Sequence, residues 1–178
     1  IQSFNEETPR DCDIVPASKK PVVIDMDEFR KVYNREMICT FGVSTCTAVI
    51  VSFPERFAYM SHISNLDRIY GGDTTDLIGH IFKQINHFDI YKYEVRELQV
   101  TVVANHFETI MNTIDKLVDE GVFLSQIRFI YNGDAQYARV IHDYVKNQTF
   151  VDWLLDRNTG DSLRQCASEV KTVGDMIK

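Results

Sequence analysis

Thr40-Phe41-Gly42-Val43-Ser44-Thr45-Cys46-Thr47-Ala48-Val49-Ile50-Val51 is a glycine-containing turn that runs into an apolar, β-branched segment, and Tyr59-Met60-Ser61-His62 closes a second such segment. Between them Pro54-Glu55-Arg56 is a turn, so residues 45–63 read as a β-hairpin. Centred on Pro54-Glu55, the hairpin sets Cys46 and His62 opposite one another near its open end, each eight residues from Pro54. A thiol beside an imidazole is the arrangement of a Cys/His nucleophile pair.

Outward from the hairpin, residues 37–41 form another strand candidate and Gly42 permits a sharp turn. Upstream, 22–24 reads as strand, whereas 25–33 carries acids first and bases later, with Met26, Phe29 and Val32-Tyr33 recurring at three to four residues, which suits a short helix. Residues 1–20 are polar, contain Pro9 and Pro16, and read as an irregular lead-in.

Downstream, Asn65 to Gly72 is a polar loop. Asp73 caps a helix through Phe88 whose apolar stripe is Leu77, Ile78, Ile81, Phe82 and Ile85. Residues 89–97 are ambiguous and 98–104 read as strand. Phe107, Ile110-Met111, Ile114 and Leu117-Val118 make a second amphipathic helix that ends at Gly121. Residues 127–131 form a strand stopped by Asn132-Gly133-Asp134. The pattern of 137–145 fits helix and strand equally. Residues 150–155 and 162–167 read as strands around the Asn158-Thr159-Gly160-Asp161 turn, and 170–178 as a polar tail. The expected fold is α+β: mixed, mostly antiparallel sheet packed with two main helices, in one domain over 21–170 with a lead-in over 1–20 and a tail over 171–178.

The 178 residues are 44% hydrophobic and 25% charged, a globular composition long enough for a sizeable core. A net charge of −7 argues against an unspecific nucleic-acid or anionic-membrane surface. No apolar run approaches the roughly 20 residues of a membrane span. Cys12, Cys39, Cys46 and Cys166 are sparse, with no CxxC pair and no zinc spacing, so reduced thiols in a cytoplasmic setting are expected.

The chemical case for Cys46 is that an imidazole takes the thiol proton and the thiolate attacks an amide or ester carbonyl. Backbone N–H groups of the Ser44-Thr45-Cys46 turn are candidate donors to the resulting oxyanion. Thr40, Thr45 and Ser61 are hydroxyl candidates for orienting the ring. Against this, a cysteine in an apolar strand is most often a small buried side chain, and His106 and His142 are equally available partners by pattern. Gly71-Gly72-Asp73 lacks the lysine and spacing of a phosphate loop and reads as a helix cap. His80 and His87 share a helix face but no acid completes a metal set. Arg128 and Arg139 are candidates for docking an acidic partner, and Trp153 for a core or edge anchor.

The segment from Thr40 to Val49 resembles the signature of the chemoreceptor glutamine deamidases, the CheD family, in which Thr-Leu-Gly leads through small residues and Ser/Thr to a Cys, followed after a hairpin by a strand ending in His. Tyr59-Met60-Ser61-His62-Ile63 is similar to that second element. Residues 112–121 resemble the family's helix ending in Gly, and Tyr131 to Arg139 its Asp-x-Gly-Gly segment. The similarity spans roughly residues 37–145. Val102-Val103-Ala104-Asn105 stands where the family has Phe-Gly-Gly-Ala, and its double glycine is reduced to Gly133. The region after Gln148 has no clear counterpart.

The resemblance implies a CheD-like fold with Cys46 as nucleophile, His62 as base and Thr40 as the conserved threonine. Ser44, Thr45 and Ser61, beside the pair in sequence, and Asn65, in the loop that follows, are the expected substrate-binding residues. The resemblance also implies a cytoplasmic, cofactor-free, metal-free hydrolase that deamidates glutamine of a protein partner, and neither nucleic acid nor membrane as partner. That partner is a chemotaxis protein or, if the chain is a secreted toxin-like effector, a host signalling protein. N-terminal asparagine amidases share a similar turn, and a binding module that has lost turnover on the same fold is the non-enzymatic alternative.

Overall fold

A computed structural model describes residues 21–64, 76–89 and 97–167. Two five-stranded sheets carry the fold. The first has the order β1-β3-β8-β9-β10, with β1 Val22–Ile24, β3 Ile38–Val43, β8 Tyr137–Asp143, β9 Gln148–Leu154 and β10 Ser162–Ala167. The second has the order β2-β5-β4-β6-β7, with β2 Phe29–Val32, β4 Thr47–Phe53, β5 Phe57–Ile63, β6 Gln99–Ala104 and β7 Ile127–Tyr131. Only β1/β3 and β6/β7 pair in parallel; the other pairs are antiparallel. Helices α1 Leu77–Gln84 and α2 Phe107–Asp119 complete an α+β fold.

The alternation of side chains along each strand separates two cores. Even-numbered residues of β4 and β5, among them Ala48, Ile50, Ala58 and Met60, face the other sheet and pack with Ile38, Val140, Val151 and Trp153. Odd-numbered ones, Val49, Val51, Phe53, Phe57 and Tyr59, face outward and are covered by Ile78, Ile81 and Phe82 of α1 and Ile110, Ile114 and Leu117 of α2. The layers therefore run helices, second sheet, first sheet. β4 is buried on both faces over all seven residues, which is why it reads as a continuous apolar run rather than an alternating one.

The helices start and stop for local reasons. Asp76 caps α1 by accepting from the Gly79 N–H (3.0 Å) and binds Lys116 Nζ of α2 (3.1 Å), tying the two helices together. Gly121, at φ +95°, ends α2. The cap expected at Asp73 is instead Asp76, and the helix begins at Leu77; most of the ambiguous 89–97 stretch lies outside the described residues.

Two expectations are corrected and one open reading is settled. Residues 29–32 form a strand on the edge of the second sheet, not a helix, because pairing with β5 (Phe29↔Ser61 to Val32↔Ala58) overrides the local helical spacing. Residues 137–143 resolve as strand. Gly42 does not end β3: the strand continues to Val43 with a register shift between Thr40 and Val43, a bulge that Gly42 accommodates at φ +68°.

Trp153 is a core residue, fully buried, its indole N–H donating to Gln165 Oε1 (2.5 Å). Neither Cys39 nor Cys46 is disulfide-bonded. The expectation of reduced thiols throughout fails at Cys166, which is disulfide-bonded. No helix among the described residues is long and apolar enough to cross a membrane.

Candidate active site

The hairpin turn is centred on Glu55, not on Pro54-Glu55: Phe53 pairs with Phe57, and Glu55 itself takes φ +69°. The register therefore sets Ala48 opposite His62. Cys46, in the bend that leads into β4, aligns with Ser64 one step further on. Cys46, Ala48 and His62 still share the inter-sheet face, so the thiol and imidazole are diagonal neighbours rather than a directly opposed pair. An alanine directly across from His62 leaves the ring room beside the strand.

Thr40 meets His62 from the facing sheet. Thr40 Oγ1 donates to the Ile24 carbonyl (3.0 Å), which can only accept, and lies 2.7 Å from His62 Nδ1. With its single proton committed to Ile24, Thr40 accepts from His62, so Nδ1 carries the ring proton. Nε2 is left as a bare lone pair. It is buried and has no hydrogen-bond partner among the described residues. Burial is the main influence on this imidazole and holds its pKa below the usual value; the carboxylates of Asp27 and Asp25 oppose that shift without cancelling it. At neutral pH the ring is an uncharged base.

The turn 25–28 crosses from the first sheet to the second over this site. Asp27 N–H donates to the His62 carbonyl (2.6 Å) and His62 N–H to the Glu28 carbonyl (3.1 Å), so both backbone groups of His62 are held. Asp27 Oδ1 accepts from the Ser64 N–H (3.0 Å). Met26, on the same turn, brings its Sδ to 3.8 Å from Cys46 Sγ. Ser44 Oγ, on the other side, donates to the Gln136 carbonyl (2.9 Å), fastening the nucleophile turn to the 132–136 loop.

Other expected residues fall differently. Thr45 is exposed beside Cys46. Ser61 is buried but on an odd position of β5, so its side chain points to the helix face, away from His62, and it is not part of this site. Asn65 lies outside the described residues. His106 is exposed ahead of α2. His142 is fully buried between the sheets, against Thr149 Oγ1 (2.9 Å) and Ser52 Oγ (3.4 Å). Ser52 lies six residues from Cys46 along β4, roughly 20 Å at strand rise, so His142 belongs to the far end. Arg128 is also buried and donates to Thr101 Oγ1 (2.7 Å), while Arg139 pairs with Asp152; neither is a free docking cation. His80 is exposed and stacks on Phe29. Among the described residues no group of three or more His, Cys, Asp or Glu side chains could hold a metal ion.

Asp27, Ser64 and Asn105 are the residues of this region that pattern reading missed. Ser64 follows once the hairpin is centred on Glu55. Asn105, between a strand and a helix, carries the ordinary signature of a helix cap. The chain matches no protein-family model and no curated protein.

Proposed function

We propose that this chain is a cofactor-independent Cys/His amidohydrolase that deamidates glutamine side chains of a protein substrate. The observation that carries the reading is the Ile24–Thr40–His62 relay, which leaves a neutral imidazole with its bare Nε2 on the face shared with Cys46. A base oriented by a third group beside a nucleophile is the general form of such sites.

Cys46 Sγ gives its proton to His62 Nε2 and bonds to the carboxamide carbon; the carbonyl π pair moves to oxygen, where the N–H groups of the Ser44–Cys46 turn stabilise it. Collapse breaks the C–N bond, and ammonia departs with the proton from His62. Water then attacks the thioester, giving one proton to His62. Cleavage of the C–S bond returns that proton to sulfur and releases glutamate. The resemblance in the Thr40–Val49 and Tyr59–Ile63 segments supports glutamine as the substrate side chain.

Of the two settings the resemblance allows, the disulfide at Cys166 supports the secreted effector acting on a host protein, because disulfides persist chiefly in oxidising compartments. Intact mass before and after reduction of secreted material checks this: a gain of two hydrogen atoms on reduction supports it, and no change sinks it.

The central test compares wild type with Cys46→Ala. The variant is expected to fold and to release no ammonia from a glutamine-bearing peptide, whereas wild type releases it. Release that survives Cys46→Ala overturns the assignment. Alkylation of Cys46 by iodoacetamide is expected well below pH 8. Cys39 does not interfere, because burial raises its pKa.

A further inference from the structure

Asn105 stands one residue beyond β6 and is buried. Its amide orientation is settled by its partners: Nδ2 donates to the Ala135 carbonyl (2.9 Å) and the Gln136 carbonyl (3.3 Å). Turning the amide over would set Oδ1 against two carbonyl oxygens, so Oδ1 is the remaining atom. That oxygen is buried and accepts no hydrogen bond among the described residues. Folded proteins pair nearly all such atoms, so an unpaired acceptor beside a nucleophile is open to a ligand's donor.

Two independent observations bring Asn105 to Cys46. Extending the β4/β6 register by two residues beyond Ala48↔Val103, past Thr47 and Ala104, sets Asn105 next to Cys46, on the same face. Ser44 of the nucleophile turn and Asn105 also donate to the same acceptor, the Gln136 carbonyl. Cys46 is thus flanked by Ser64 on the β5 side and Asn105 on the β6 side. Ser64 Oγ is likewise buried without a partner among the described residues, but a hydroxyl both donates and accepts and selects nothing. An amide oxygen accepts only.

We propose that Asn105 recognises the substrate carboxamide, its Oδ1 accepting an N–H of the side-chain amide while Cys46 attacks the carbonyl carbon. This rests on the amidohydrolase reading and adds to it the selection of amides. A carboxamide presents an N–H where an ester or carboxylate presents only lone pairs. The same oxygen that holds glutamine therefore rejects the glutamate product and leaves esters as poor substrates. Its Nδ2 bonds to Ala135 and Gln136 hold the oxygen in place before substrate arrives.

The test uses a capped Gly-Gln-Gly peptide and the same peptide carrying glutamate γ-methyl ester. Asn105→Ala is expected to lower kcat/KM for the amide by about tenfold or more relative to the ester, while Cys46 alkylates at the wild-type rate. Equal loss on both peptides, or no loss on either, overturns the proposal. If Asn105→Ala does not fold, Asn105→Ser, whose hydroxyl can still bond one of the two carbonyls, carries the same comparison.

A second arm needs no turnover: both peptides are titrated by NMR against Cys46→Ala and against Cys46→Ala/Asn105→Ala. Preference for the amide in the first protein and its loss in the second supports the proposal; equal preference in both overturns it. Wild type that shows the preference but no ammonia release sinks the amidohydrolase reading alone, and ammonia release without an Asn105-dependent preference sinks this inference alone.

Discussion

Thr40 has one hydroxyl proton, and the Ile24 carbonyl takes it. The tautomer of His62 depends on that commitment, so the hydroxyl matters more than its small size suggests. Thr40→Val keeps the shape, removes the acceptor for Nδ1–H, and lets the ring proton move to Nε2, where it blocks the base. Its kcat/KM for deamidation should fall by roughly 10²–10³-fold, and Thr40→Ser should restore most of it; a Thr40→Val enzyme of wild-type rate would refute the relay. The pH profile gives a second reading. Burial lowers the His62 pKa and Asp27 raises it, so Asp27→Asn removes an opposing influence and lowers it further. A general base stays active while neutral, so the acid limb of kcat/KM should lie below pH 6.5 in wild type and move lower still in Asp27→Asn. The Asn Oδ1 can keep the bond from the Ser64 N–H, which separates this effect from loss of structure. A limb that moves upward, or not at all, contradicts the assignment of His62 as base.

At the level of single elements, the bulge in β3 sets the turn that holds Cys46. Gly42 at φ +68° has nothing within 4 Å of where a Cβ would stand, so a substitution there is resisted by backbone conformation and not by crowding. Gly42→Ala should cost about 1–2 kcal/mol in urea denaturation and should reduce turnover by more than that stability loss explains, since the Ser44–Cys46 turn follows directly. The hairpin was legible because an apolar run, a Pro-containing turn and a second run leave little else to form. Its register was not: a turn centred on Glu55 in the left-handed region is one residue away from the reading that Pro54 invites. That displacement turned an opposed pair into a diagonal one and hid Ser64. β2 was misread because Met26, Phe29 and Val32 keep helical spacing. Its strand state comes from pairing with β5, with Lys31 over the Phe57 ring (4.4 Å), contacts absent from local sequence. Ser61 was misplaced for the same reason as any strand neighbour of a site residue: alternation sends it to the other face.

For the molecule as a whole, the decisive arrangement is one sheet facing another, because Thr40 and His62 come from different sheets and meet only when the layers close. Local sequence offered Thr40 only as one of three hydroxyl candidates, with Thr45 and Ser61; the resemblance singled it out. The same interlayer space holds His142 at its far end, where burial first, and Arg128 second, push its pKa down to about 3. The folded protein keeps this ring neutral while the unfolded chain protonates it, so its contribution is complete above about pH 6.5 and is lost as pH falls toward 3. At about 1.4 kcal/mol per unit the whole span amounts to roughly 5 kcal/mol. His62 acts in the same direction. Asp76 and Asp152, whose pKa values are lowered by their hydrogen-bond partners despite burial, lose their contributions only below the usual carboxylate range. Stability by urea denaturation should therefore already decline between pH 6.5 and 4.5, and His142→Gln should flatten that slope; an unchanged slope would remove His142 from the account. β4 adds a kinetic consequence: with partners on both edges and all seven residues buried, its amide protons should exchange with deuterium only through opening of the entire molecule. A nucleophile carried at the mouth of such a strand is not exposed to piecemeal melting, so heat inactivation and exchange of the slowest amides should share one midpoint.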